Sequence, residues 1–261
     1  MMENAVLFEA NKGVATITLN RPDRYNAVNQ DLVDGISSAL TKCENDDSIR
    51  AVVLTGSGRG FCAGADMSVF SDNATAEERS QYIIDQYQPL MNQFFTLKKP
   101  IIGAINGTAA GVGAAFALAC DFRVMSAESG ILYAFVNIGL GPDGGASWLL
   151  ARQVGYSRAL EIATSGKKVS GTECLALGLT NRIVPQEELL NNAKQWAEEL
   201  AKGATLAIGI AKEDMFYAIN HSLNEAIAFE ARKQVAAFKS HDLKEGVTAF
   251  LEKRKPNFLG K

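Results

Sequence analysis

The spacing of apolar residues changes period several times along the chain, and each change marks an element. Val6-Leu7-Phe8 and Val14 to Leu19 are β-leaning runs separated by Asn11-Lys12-Gly13, the pattern of a two-stranded hairpin. A polar loop, Asn20 to Ala27, follows. Asn29 can cap a helix whose apolar positions Leu32, Val33, Ile36 and Leu40 share one face. Arg50 to Thr55 reads as a buried strand. The helical period returns behind Thr75-Ala76-Glu77-Glu78, a capping box. Tyr82, Ile83, Tyr87, Leu90, Met91 and Phe94 then form a stripe along that helix, which ends at Lys98-Lys99-Pro100. Such a stripe serves either as core or as the roof of an apolar ligand pocket.

The stretch Ile101 to Gly145 organises the rest. Ile101, Ile102 and Ile105 form a strand-like run halted at Asn106-Gly107, and a helix follows over Ala114 to Ala119. The first amides of a helix lack partners within it, and the aligned peptide dipoles make that end partly positive, so an oxyanion can be held there. Gly111 and Gly113 let the backbone approach a ligand closely. A tightly packed helix start would use the same glycines. A second glycine-rich turn, Gly56 to Asp66, ends the strand at Thr55 and can also leave amides pointing into a cleft. Asp66 there can cap the segment that follows it.

After Asp121 come the strand Phe122 to Met125 and another near Ile131-Leu132-Tyr133. Past Asp143 the chain is mainly helical: Ala146 to Gln153, Ser157 to Thr164, and a short helix behind the capping box Ser170-Gly171-Thr172-Glu173. A short strand at Arg182-Ile183-Val184 precedes helices over Leu189 to Lys202, Leu206 to Ala218, Leu223 to Ser240 and Leu243 to Glu252. This order predicts an α/β fold: a core over residues 1–200 that carries the site, and an all-helical region over residues 201–261.

Composition narrows the chemistry. A net charge of −3 over 261 residues offers no broad basic face, so nucleic acid is not an expected partner. Met1 to Ala10 lacks the features of a secretory signal and no apolar run is long enough for a bilayer, so a cytoplasmic, membrane-free protein is expected. Cys43, Cys62, Cys120 and Cys174 are scattered singly, which predicts small buried side chains and no metal cage. The two histidines, His221 and His241, both fall in the C-terminal quarter and read as a solvated helix residue and a helix-end residue. That leaves no Ser-His-Asp or Cys-His pattern.

Five segments, in order, resemble the crotonase (enoyl-CoA hydratase/isomerase) superfamily over nearly the whole chain. They are N-R-P-x-R-x-N-A at Asn20 to Ala27, F-C-A-G-A-D at Phe61 to Asp66, N-G-x-A-A-G-x-G from Asn106, I-G-L-x-P-D-G-G at Ile138 to Gly145, and A-F-L-E-K-R-K at Ala249 to Lys255. The resemblance implies a ββα spiral core and two backbone amides, those of Ala65 and Val112, that hold a thioester enolate, with Gly64 and Gly111 shaping their turns. Val112 departs from the small residue usual there, but the donor is main chain. The resemblance also assigns coenzyme A contacts to Arg24, Ala27, Ala63, Ala65, Asp66 and Met67, and to Phe250 and Lys253 from the C-terminal helix, which can reach a neighbouring subunit. Acyl-CoA is then the substrate, no separate cofactor is implied, and the assembly is a homotrimer or a hexamer of two trimers.

Hydratases of the superfamily add water with two glutamates, and this chain has Ala115 and Phe135 at the matching places. Neither can carry a proton. Asp143 remains, and one carboxylate suffices to take a proton from one carbon and return it two carbons away. The resemblance therefore points to a Δ3,Δ2-enoyl-CoA isomerase with Asp143 as the base; a helix cap before Gly144-Gly145-Ala146 is the plain alternative for that residue. Three other readings stay open: hydration by another proton route, a 4-chlorobenzoyl-CoA dehalogenase with Asp143 as nucleophile, and an acyl-CoA-binding scaffold without turnover. The dehalogenase route needs a histidine on the helix before the second glycine turn, and Thr75 to Leu97 contains none.

Overall fold

The N-terminal hairpin pairs β1 (Val6–Asn11) with β2 (Val14–Leu19) in antiparallel register, Val6 opposite Leu19, in a computed structural model that describes residues 4–70 and 74–261. Lys12 and Gly13 both take positive φ in the turn, the conformation that matches the twist of a two-residue hairpin. The chain continues through α1 (Gln30–Asn45), β3 (Ala51–Gly56), α2 (Ala76–Tyr82), α3 (Gln88–Thr96), β4 (Ile101–Ile105), β5 (Thr108–Ala110) and α4 (Val112–Ala119). Next come β6 (Phe122–Ser126), β7 (Gly130–Leu132), α5 (Ala146–Val154), α6 (Tyr156–Ser165), β8 (Lys168–Ser170), α7 (Gly171–Ala176) and β9 (Arg182–Val184). Four helices complete the chain: α8 (Leu189–Ala201), α9 (Thr205–Ala218), α10 (Leu223–Phe238) and α11 (His241–Leu251).

Beyond the hairpin the large sheet, in the order β1-β2-β3-β4-β6-β9, is parallel throughout. Its inner strands are buried on both faces, as parallel strands are. Ile17, Val52, Leu54, Ile101 and Ile105 face a core shared with α1, α3 and α4, while Val53, Ile102, Ala104 and Val124 face Leu189, Ala193 and Ala197 of α8. A second sheet, β5-β7-β8, lies beside it. All four cysteines are buried and unbridged.

Two short strands correct the sequence reading. Asn106-Gly107 does not lead straight into a helix: Thr108–Ala110 first pairs with Gly130–Leu132. Lys168–Ser170 is likewise a strand, antiparallel to β7. Three residues are too few to show a period of two, so only their partners define them.

The aromatic-striped helix is interrupted. Between α2 and α3, residues Ile83–Tyr87 form a π-turn, in which Gln88 N–H reaches back to the carbonyl of Ile83. Pro89, in the first turn of α3, has no N–H for the carbonyl of Asp85 and its ring would clash there, which accounts for the widened turn.

The C-terminal helices are tied down by buried charge. Lys212 of α9 donates to Oδ2 of Asp121 and to the carbonyl of Phe94, both at 2.8 Å, and the same carboxylate oxygen accepts from Ile101 N–H. Burial pushes the Asp121 pKa up, and the lysine opposes that shift. The chain end folds back so that Asp242 accepts from Leu259 N–H and Gly260 N–H. Among the described residues no helix is long and apolar enough to cross a membrane.

Candidate active site

The site begins with Asn26, fully buried and in the left-handed backbone region at φ 57°. Its side-chain amide donates to the carbonyls of Ser57, Gly60 and Phe61, and its Oδ1 accepts from Arg21 N–H. One side chain thereby holds the first glycine turn against the Asn20–Ala27 loop. The turn then pairs with β5: Cys62 N–H donates to Thr108 O and Ala110 N–H to Cys62 O. On its other side Val28 N–H donates to Gly64 O and Asp66 N–H to Val28 O.

These bonds leave the amide of Ala65 turned away from its neighbours, and the amide of Val112 opens α4. Among the described residues neither N–H donates to any group. Gly64 at φ 92° and Gly111 at φ 54° make the two turns possible, because side chains disfavour both conformations. A Cβ on Gly64 would stand 2.9 Å from the carbonyl oxygen of Ala110. Both free amides border one cavity of about 510 Å³.

Of the other residues named from sequence, Arg24, Ala27, Ala63, Gly64, Asp66, Met67, Gly111 and Asp143 all line that cavity. Phe250, 82% exposed at the end of α11, and Lys253, just past that helix, are not on its walls. The two histidines are not on them either; both are exposed.

Three carboxylates line the cavity, and their surroundings differ. Asp23 is exposed. Asp66 is paired: its Oδ2 accepts from Arg21 at 2.8 Å and its Oδ1 from Ser68 N–H and Oγ–H, contacts that hold its pKa below the ordinary carboxylate range. It caps the segment after it, as the sequence allows. Asp143 is different: its Oδ1 is buried with no hydrogen-bond partner, and burial lifts its pKa to about 6. The helix-cap reading of this residue is corrected. Gly145 occupies the cap position of α5, and Asp143 serves it only through a main-chain carbonyl that accepts from Ala146 N–H. Ala115 is fully buried and not on the cavity wall, and Phe135 is on that wall, so neither position brings an acid to the cavity.

Behind Gly144 lies a second chamber of about 290 Å³ bounded by the π-turn, α3, α5 and Phe216 of α9. A Cβ on Gly144 would fall 2.7 Å from Cγ2 of Val112 and 3.7 Å from Cδ2 of Tyr87. The wall between the two spaces is therefore Val112, Gly144 and Tyr87. The sequence stripe left Tyr87 open between helix core and the roof of an apolar pocket, and the structure puts it, with Ile83 and Met91, on the wall of this chamber.

A parallel sheet with a flanking three-stranded sheet, two free amides at one cavity and a buried carboxyl beside them define an acyl-CoA enzyme. The chain belongs to the enoyl-CoA hydratase/isomerase family, which it matches over residues 9–261. It is 38% identical to 1,2-epoxyphenylacetyl-CoA isomerase of Escherichia coli (strain K12), with both chains covered in full. It is 36% identical to a probable enoyl-CoA hydratase of Rhodobacter capsulatus, again over the full length of both. A solved enoyl-CoA hydratase from Polaromonas sp. JS666 superposes with a TM-score of 0.92 at 32% identity, covering 97% of this chain and 99% of that one. The fold is that of the crotonase superfamily.

Proposed function

We propose that the chain is an acyl-CoA isomerase that shifts a double bond from the Δ3 to the Δ2 position. The thioester oxygen sits between the amides of Ala65 and Val112, which stabilise the negative charge as the enolate forms; such donors are worth about 10²- to 10³-fold in rate each. Asp143 removes a proton from the carbon next to the thioester and returns it two carbons further along. The observation that carries this reading is the single unpaired, buried carboxyl on the cavity, with its pKa raised to about 6. A base with a pKa near the working pH both takes and returns a proton. Isomerisation in the name of the Escherichia coli relative supports it, and the hydrocarbon at Ala115 and Phe135 disfavours water addition.

Coenzyme A would lie along Ala27, Ala63 and Met67, with Arg24 on the exposed rim supplying a cation for phosphate. The exposed apolar side chains of α10 and α11, among them Leu223, Ile227, Phe238, Phe250 and Leu251, support assembly as a trimer or paired trimers. In such an assembly Phe250 and Lys253 would serve a neighbouring subunit's coenzyme A. Incubation with 3-enoyl-CoA and 2-enoyl-CoA in parallel tests the reaction. Conjugation of the first with little hydration of the second is expected, and efficient hydration without conjugation would reject isomerisation.

A further inference from the structure

Oδ1 of Asp143 is buried with no hydrogen-bond partner, so no donor at that oxygen aims the carboxyl. A donor placed there would favour the charged form, hold the pKa down and weaken the base. The aim of the group has to come from its main chain. Yet the two residues that follow are Gly144 at φ 57° and Gly145 at φ 81°, both in the left-handed region and both of the residue type with the widest backbone freedom. A turn built this way needs a tether from outside it.

Tyr133 supplies one. It is fully buried, its ring packs edge-on against Phe135 with centroids 6.0 Å apart, and its hydroxyl donates to the carbonyl of Ala146 at 2.9 Å. Ala146 N–H donates in turn to the carbonyl of Asp143, also at 2.9 Å. Two hydrogen bonds in series therefore connect the phenol to the residue that carries the acid, and they span both glycines. Tyr133 is not on the cavity wall, so it can act on the acid only through this turn.

The same strand end holds the other half of the site. Leu132, the last residue of β7 and the neighbour of Tyr133, accepts from Gly111 N–H at 3.0 Å, and Gly111 sets the direction of the Val112 amide. One dipeptide thus holds the oxyanion turn by a carbonyl and the acid turn by a phenol. We infer that Tyr133 is a positioning residue whose hydroxyl, acting through Ala146, fixes the Asp143 carboxyl relative to the Val112 amide. The inference rests on the reading of Asp143 as the base and adds the group that aims it.

Tyr133→Phe removes the hydroxyl and keeps the ring against Phe135. Burial alone lifts the Asp143 pKa to about 6, and Tyr87, which feels that charge, is itself held neutral by burial. A carbon NMR titration of the Asp143 carboxyl therefore reports how well the turn keeps it from water. In Tyr133→Phe, folded by circular dichroism, the midpoint should fall by about half a pH unit or more toward the ordinary carboxylate range. On 3-enoyl-CoA kcat should fall about 10- to 100-fold, as a misplacement of about 1 Å allows, with acetyl-CoA affinity within about twofold of wild type. Thr180→Val is the control: it removes a different buried hydroxyl from a main-chain carbonyl, that of Arg123, away from the cavity, and should lower the melting temperature while moving neither midpoint nor kcat.

An unmoved midpoint in Tyr133→Phe overturns the positioning role, as does an equal displacement in Thr180→Val. With a wild type that conjugates 3-enoyl-CoA, an unchanged kcat in Tyr133→Phe overturns it too. A wild type that conjugates none rejects isomerisation instead, and the midpoint then decides on the tether alone.

Discussion

Gly64 and Gly111 face each other across the site: a Cβ on Gly64 would lie 3.5 Å from the Cα of Gly111, and one on Gly111 would lie 3.6 Å from the Cα of Gly64. Residues forty-seven positions apart in sequence thus set the separation of the two amides that follow them. The pairing of Cys62 with β5 enforces the approach, because it draws one turn alongside the other before either reaches its free N–H.

A methyl group at Gly64 is the direct test of that geometry. Gly64→Ala meets the Ala110 carbonyl at 2.9 Å in a backbone conformation alanine disfavours, so the turn must move and the Ala65 amide with it. The expected result is a fall in kcat of about 10²- to 10³-fold on 3-enoyl-CoA, with the protein still folded by circular dichroism. A folded variant with wild-type kcat would remove the Ala65 amide from the reaction.

Asp143 links activity to stability through pH. Its carboxyl must be ionised to act as a base, so kcat should rise with pH through about 6 and then level off. Stability runs the other way. The folded state keeps this proton at pH values where the unfolded chain has already released it. Stability therefore declines as pH rises from the ordinary carboxyl range through about 6, and above that the ionised group costs roughly 2–3 kcal/mol. Asp143→Asn should abolish turnover, retain acyl-CoA binding, and melt at a higher temperature than wild type at pH 8 but not at pH 4. Retained activity, or an equal melting temperature at pH 8, would contradict the buried-base assignment.

Asn26 is a structural counterpart to these groups. Asn26→Ala strands the carbonyls of Ser57, Gly60 and Phe61 and removes the acceptor for Arg21 N–H. The expected loss is about 2–4 kcal/mol in urea unfolding, since buried unpaired polar groups cost about 1–3 kcal/mol each and local relaxation recovers part of it. The affinity for acetyl-CoA should fall with it, because the same amide holds the turn that carries Ala63 and Ala65. An unfolding curve within about 0.5 kcal/mol of wild type would show that the loop is held by its backbone alone.

Much of this was legible in the residues. The unbroken apolar run Ala51 to Leu54 marks a strand covered on both faces, and the capping boxes at Thr75 and Ser170 start α2 and α7 in the structure. The glycine turns stand out because few other residues tolerate the backbone they require. Less was legible around Asp143. A carboxylate followed by two glycines and a helix has the pattern of a cap, and only its burial and missing partners separate a cap from a base.

Local sequence by itself determined where the chain turns and which faces of its helices are apolar, because backbone preference and hydrophobic period act over a few residues. Only the tertiary structure decided that β5 draws Gly111 against Gly64, that Oδ1 of Asp143 is buried without a partner, and that a proline-widened helix turns Tyr87 toward Gly144. Those outcomes depend on desolvation and contact between segments tens of residues apart, which no local pattern encodes.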